Sequence, residues 1–211
     1  RVLIVTGAGD KAFCAGADIP ELRDRTLMEQ QRGAELGQAV FAKLDALPMP
    51  SVAAINGYCL TGGLEVALAC DIRVAGTGAK FGITSAKIGS VAGGGGTQRL
   101  PRIVGAEWAK DMLFSADFID ADTALRIGLV SRIAEPTAVL DTALARIDAY
   151  AARAPLSVWY AKMAVNKGMQ MDLEPALEFE RHLTASLFTT EDRTEGMSAF
   201  LEKRDAVFKG R

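Results

Sequence analysis

Apolar positions fall into two kinds of pattern along this chain. Val2–Val5 and Ser51–Ile55 are short, largely apolar runs, closed by Gly7 and by Asn56-Gly57. Such runs read as strands buried on both faces. Asp71–Ala75 and Leu129–Ile133 read as two more strands. Glu21 to Leu47 differs: Leu36, Val40, Phe41, Leu44 and Leu47 recur at helical spacing, predicting one or two helices. Pro48-Met49-Pro50 ends that stretch. Gly7 to Asp18 is rich in small residues and reads as an extended loop. Phe81-Gly82 leads into Thr84–Gly89, one helical turn. Gly93–Gly96 reads as a flexible loop, with Thr97 capping the next helix. Gly105–Ser115 and Asp120–Ile127 read as helices, the latter closed by Gly128. From Pro136 the pattern is helical only: Pro136–Arg153, Pro155–Lys167, Leu173–Leu187 and Glu191–Phe208.

Strand-and-helix units followed by helices predict an α/β core over 1–134 and a helical region over 135–211. The chain opens on a stretch that reads as an interior strand, without a Met. A further N-terminal segment is therefore expected, and any targeting signal would lie in it.

Composition narrows the function classes. Net charge is −2 with no basic stripe, so nucleic acid is not an expected partner. No apolar run is long enough to span a membrane. Cys14, Cys59 and Cys70 form no C-x-x-C pair, which suggests reduced thiols and a cytoplasmic protein. The one histidine, His182, sits in a charged helical stretch and reads as a solvated surface residue. A multi-histidine metal site is excluded.

The candidate chemistry lies in Ile55–Asp71, I-N-G-Y-C-L-T-G-G-L-E-V-A-L-A-C-D. Thr61-Gly62-Gly63 opens a helix, whose first N–H groups lack intrahelical partners. At Gly62 no side chain shields that N–H. Glu65, three residues on, shares its face and leans back toward the helix start. A donor beside a carboxylate suits a reaction at a carbonyl: one steadies an oxyanion, the other moves a proton. A Glu in a first turn equally complements the helix dipole, so this stretch alone leaves both readings open. Gly7-Ala8-Gly9-Asp10-Lys11-Ala12 loosely matches a dinucleotide fingerprint, but no helix opens within the glycines.

Four stretches together resemble the enoyl-CoA hydratase/isomerase, or crotonase, family. They are V-L-I-V-T-G-A-G-D-K-A-F-C-A-G-A-D, A-A-I-N-G-Y-C-L-T-G-G-L-E-V-A-L-A-C-D, G-G-G-G-T-Q-R-L-P-R-I-V-G and D-R-T-E-G-M-S-A-F-L-E-K-R. The resemblance implies a crotonase-like spiral of ββα turns, with C-terminal helices that assemble homotrimers or homohexamers. It implies an acyl-CoA thioester substrate and no separate cofactor, CoA being part of the substrate. It places two oxyanion-hole N–H groups at Ala17 and Gly62 and a catalytic acid/base at Glu65. Ala15, Ala17, Asp18 and Ile19 would hold CoA, and Phe200 and Lys203 of a neighbouring subunit would help. Taken alone, those last two read as a buried Phe and a solvated Lys.

The resemblance also exposes a departure. A second family glutamate belongs in a segment like F-G-x-P-E, which here reads Phe81-Gly82-Ile83-Thr84-Ser85. Ser85 holds the glutamate's place and Thr84 the proline's. A serine hydroxyl orients water but is a poor acid or base. Hydration of a 2-enoyl-CoA through Glu65, with Ser85 beside it, is the first expectation. Isomerisation, thioester hydrolysis, decarboxylation or C–C cleavage through a CoA enolate are alternatives, as is a non-catalytic acyl-CoA-binding subunit.

Overall fold

The computed structural model describes Arg1–Arg211, which form two compact units. The larger holds Ile4–Leu47 and Ser51–Leu144; the smaller holds Arg1–Leu3, Pro48–Pro50 and Ala145–Arg211.

The elements of the first part of the chain run β1 (Leu3–Thr6), β2 (Ala12–Cys14), α1 (Ile19–Arg23), α2 (Leu27–Asp45), β3 (Ser51–Ile55), β4 (Tyr58–Leu60) and α3 (Gly62–Ala69). Then come β5 (Ile72–Gly76), β6 (Lys80–Gly82), a 3-10 turn (Ser85–Ile88), α4 (Gly96–Val104) and α5 (Ala106–Ser115). β7 (Ile119–Asp120), α6 (Ala121–Arg126), β8 (Arg132–Ala134) and α7 (Val139–Ala151) follow. One sheet has the order β1-β3-β5-β8, the other β2-β4-β6-β7. Until β6, successive strands alternate between the sheets, with helices after the second strand of each turn. This is the ββα spiral. β3 pairs in parallel with β5 and β5 with β8; β2 pairs in parallel with β4 and β4 with β6, while β7 runs antiparallel to β6.

β3 is buried at all five positions, as its largely apolar run implied. Ile55, Leu64, Phe81, Ile83, Leu100, Met112 and Leu129 fill the core around it. Its first residue is polar but satisfied: the Asp71 carboxylate accepts from the Ser51 N–H at 2.7 Å and the Ser51 hydroxyl at 2.9 Å. Half-buried Arg73 donates to the Leu129 and Cys70 carbonyls, at 2.7 and 2.8 Å, the second at the C-cap of α3.

The structure differs from the sequence reading in several places. β2 lies inside the expected extended loop, and β4 and β6 are strands that the sequence reading did not expect. Thr97 caps nothing: Gly95, at φ 118°, is the N-cap of α4, and Thr97 is already helical. Only a residue tolerant of the left-handed region makes that entry readily. The larger unit reaches past Ala134 into α7, where Val139 and Ala143 are buried and the Val139 side chain faces Gly76.

The smaller unit holds α8 (Pro155–Gly168) packed on α9 (Leu173–Leu187), then α10 (Glu191–Glu202). The last helix stops short of Phe208. Lys203 adopts a left-handed conformation, and the tail returns to buried Asp192, whose carboxylate accepts from the Lys209 and Gly210 N–H groups at 2.7 Å each. No helix is long and apolar enough to cross a membrane.

Candidate active site

β2 feeds the loop Ala15–Asp18, and its parallel neighbour β4 feeds Thr61 and the start of α3. The pairing lays the two loops side by side. A Cβ built on Gly62 would lie 3.6 Å from Gly16 Cα and 3.8 Å from Ala17 N. Two backbone N–H groups, those of Ala17 and Gly62, thus share one small region. The approach is close enough to dictate the next residue: a Cβ on Gly63 would sit 2.0 Å from the Cys14 carbonyl oxygen.

Glu65 lies in the first turn of α3 and is only 5% exposed. Its Oε1 accepts the Gly96 N–H at 2.8 Å. Burial pushes its pKa above the ordinary 4.5, and the Gly96 and Gly94 N–H groups pull it down by less. The glycine run makes room for this carboxylate. A Cβ on Gly94 would lie 2.8 Å from Glu65 Oε2 and 2.7 Å from the Phe41 ring; one on Gly96 would lie 3.0 Å from Oε1. α2 holds the run in place through Gln38, which donates to the Gly93 carbonyl at 2.7 Å. Arg99 on α4 meets Asp45 at the end of α2 at 3.0 Å. Sequence reasoning missed this role, taking Gly93–Gly96 for a flexible loop. Its signal is spatial, since Gly96 and Glu65 are 31 residues apart.

Ser85 is buried and opens the 3-10 turn after β6. Its neighbour Thr84 pairs its hydroxyl with that of Thr61 at 2.9 Å, next to Gly62. Lys87, the nearest charge in sequence, is turned toward Phe118 and Asp117. Asp18 is the N-cap of α1, and Ala15, Asp18 and Ile19 are exposed on the loop and helix that follow β2. Phe200 and Lys203 are at the end of α10 in the smaller unit. Phe200 is 83% exposed, so it is not the buried Phe it resembles in isolation. His182 is exposed, its Nδ1 2.9 Å from the Glu178 carbonyl of its own helix. No group of three or more His, Cys, Asp or Glu is placed to hold a metal ion.

Neighbouring N–H donors can stabilise negative charge developing on a carbonyl oxygen. A buried carboxyl with a raised pKa can take up a proton and give it back. The two features lie one helical turn apart.

Comparison with known proteins is consistent across sequence and structure. The family profile described as enoyl-CoA hydratase/isomerase matches residues 1–211. The short-chain-enoyl-CoA hydratase of Clostridium acetobutylicum is 45% identical over 202 residues, covering 96% of this chain and 77% of that protein. The crotonyl-CoA hydratase of Syntrophomonas wolfei is 44% identical over 208 residues, covering 99% of this chain and 80% of that protein. A crystal structure of enoyl-CoA hydratase from Bacillus anthracis superposes with a TM-score of 0.96 at 38% identity, covering 100% of this chain and 82% of that one.

Proposed function

We propose that this chain, which belongs to the enoyl-CoA hydratase/isomerase family, adds water across the double bond of a 2-enoyl-CoA thioester. The observation that carries the reading is the convergence at the start of α3: the Gly62 N–H beside Ala17, and buried Glu65 one turn on. Relatives at 45% and 44% identity named as hydratases support it.

In this reading the Ala17 and Gly62 N–H groups donate to the thioester oxygen. Glu65 takes a proton from water as the water oxygen bonds to C3. Electrons from the double bond move onto the thioester, giving an enolate whose charge the two donors stabilise. Glu65 then returns the proton to C2, regenerating the carboxylate. Ser85 orients the water and transfers no proton of its own. No separate cofactor takes part. The acyl-CoA substrate would run along Ala15, Asp18 and Ile19. Three free thiols suit a reducing, cytoplasmic setting.

Assembly into trimers or hexamers belongs to the same proposal, bringing Phe200 and Lys203 of one copy to the CoA of another. Support comes from the apolar exposure of Leu173, Phe200 and Leu201, at 75%, 83% and 80%, and from an open cavity of about 650 Å³ in the smaller unit lined by Phe188, Met197 and Phe208. Light scattering at micromolar concentration tests it, and a stable monomer would refute it.

The reaction itself is tested by incubating the protein with a panel of acyl-CoA thioesters and weighing the products. Crotonyl-CoA should gain one water. Loss of CO2, or release of free CoA without hydration, would instead favour another enolate reaction. Ser85 in place of a second carboxylate is the one feature that favours that second reading.

A further inference from the structure

We infer that Thr61 and Thr84 form a clamp that holds the Gly62 N–H in its donating direction, so that Thr61 is a positioning residue for the oxyanion. This rests on the proposed role of Gly62 and adds the device that aims it.

Thr61 has φ 47° and ψ −111°. Those angles match the first central position of a type II′ turn, where glycine is normally required. A β-branched residue with positive φ is an outlier, and such outliers persist only when their surroundings hold them. Here the surroundings are visible. The Thr61 N–H donates to the Gly82 carbonyl at 2.8 Å, anchoring it to the end of β6. The Thr61 hydroxyl accepts the Thr84 N–H at 3.1 Å and pairs with the Thr84 hydroxyl at 2.9 Å. A proline at 84, as the family pattern has, would offer neither contact.

The hydroxyl's direction is informative. A threonine at an N-cap usually adopts an extended backbone and caps its own helix. Thr61 is the N-cap of α3, yet its side chain makes no cap hydrogen bond. Its hydroxyl is used across the turn on Thr84, so the first-turn N–H groups of α3 are not taken by it.

The geometry then passes to Gly62. The Thr61 carbonyl accepts the Glu65 N–H at 2.9 Å. A peptide unit is planar and trans, so its C=O and N–H point in opposite directions. Fixing the carbonyl inward along α3 fixes the Gly62 N–H outward, on the side of Gly16 and Ala17. The same peptide unit therefore links the donor to the backbone of Glu65. A rotation at Thr61 would swing the donor away and loosen the first turn that carries the carboxylate.

Steady-state hydration of crotonyl-CoA should be compared for the parent, Thr61→Val, Thr61→Ser, Thr61→Gly, Thr84→Val and Gly62→Ala. Vibrational spectra of the bound thioester carbonyl and thermal melts complete the set. Thr61→Val keeps the branching and removes the hydroxyl. Its kcat should fall about tenfold or more with KM changed far less, because an oxyanion donor acts mainly in the transition state. Its bound carbonyl stretch should move up, toward that of the free thioester. Thr61→Ser should recover most of the loss. Thr61→Gly should lose less than Thr61→Val, since glycine takes this backbone without a clamp. Thr84→Val, which keeps its N–H, should fall between parent and Thr61→Val, and it serves the test if Thr61→Val does not fold. A folded Thr61→Val or Thr84→Val with parental kcat and carbonyl frequency would overturn the clamp, provided Gly62→Ala is impaired. Full turnover in Gly62→Ala would instead remove the donor role on which the clamp rests.

Discussion

Gly96 donates its N–H to Glu65 Oε1 at 2.8 Å, binding the start of α4 to the first turn of α3. The carboxylate is thereby oriented by backbone, which cannot choose another rotamer. Glu65→Gln should keep that bond, because an amide oxygen also accepts, while losing the proton transfer. We expect hydration of crotonyl-CoA to fall about 10²–10⁴-fold with circular dichroism unchanged. Unchanged turnover would reject Glu65 as the acid/base.

The raised pKa of Glu65 has a sign that can be measured. Burial favours the neutral carboxyl, so the native state holds a proton that the unfolded chain has already lost. Stability should therefore fall as pH rises from about 4.5 through the raised native value, then level off. Glu65→Gln lacks this dependence. Its melting temperature relative to the parent should climb across that window and then flatten. The parent's kcat/KM should rise with pH over the same range, since the carboxylate is the form that accepts a proton. Parallel melting curves for the two proteins would contradict the assignment.

Two adjacent glycines should respond differently to a single methyl. At Gly62 a Cβ meets nothing closer than 3.6 Å, so Gly62→Ala should unfold in urea close to the parent. Its methyl would stand beside the proposed donor, and kcat should drop toward the about 10²–10³-fold loss expected for a removed oxyanion contact. At Gly63 a Cβ would lie 2.0 Å from a backbone oxygen of Cys14. Gly63→Ala should lose about 1–3 kcal/mol or more, because β2 itself must move. Equal stability of the two variants would show that the β2–α3 approach is looser than this.

Ser85→Glu tests the departure from the family pattern directly. A second carboxylate would share the water and supply a separate proton donor. Hydration should increase, by up to about 10²-fold if it contributes as a general acid–base group does. Each carboxylate raises the other's pKa, so the pH optimum should move upward as well. A well-folded variant with slower hydration would mean that Ser85 serves a different native reaction.

The pattern of legibility has a physical basis. Ser51–Ile55 and the first turn of α3 were readable because their signals are local: a largely apolar run, and a glycine three residues before a glutamate. β2, β4 and β6 have three residues each, too few for an alternation to register. The partners of Glu65 and Thr61 were illegible for another reason. They lie 31 and 23 residues away, and only the spiral brings them close. Lys203 and the tail illustrate the opposite error. The apolar spacing of Glu191–Phe208 continued past the true helix end, and the contact that pulls the tail back to Asp192 leaves no periodic trace.

The glycine run has a consequence for how this protein can vary. Gly94 and Glu65 compete for one volume: the atoms a Gly94 Cβ would strike are the Glu65 carboxylate and the edge of Phe41, both ends of side chains that can turn. A methyl there would press on the carboxylate and on the Phe41 ring, with no backbone atom among its nearest neighbours. The two positions are therefore epistatic. While Glu65 is needed, a side chain at 94 must spare the carboxylate as well as the Phe41 ring. Once Glu65 shrinks to alanine, the carboxylate's share of that constraint lifts and only the Phe41 contact remains, so a lineage that has given up the reaction could admit a side chain at 94 by turning one ring.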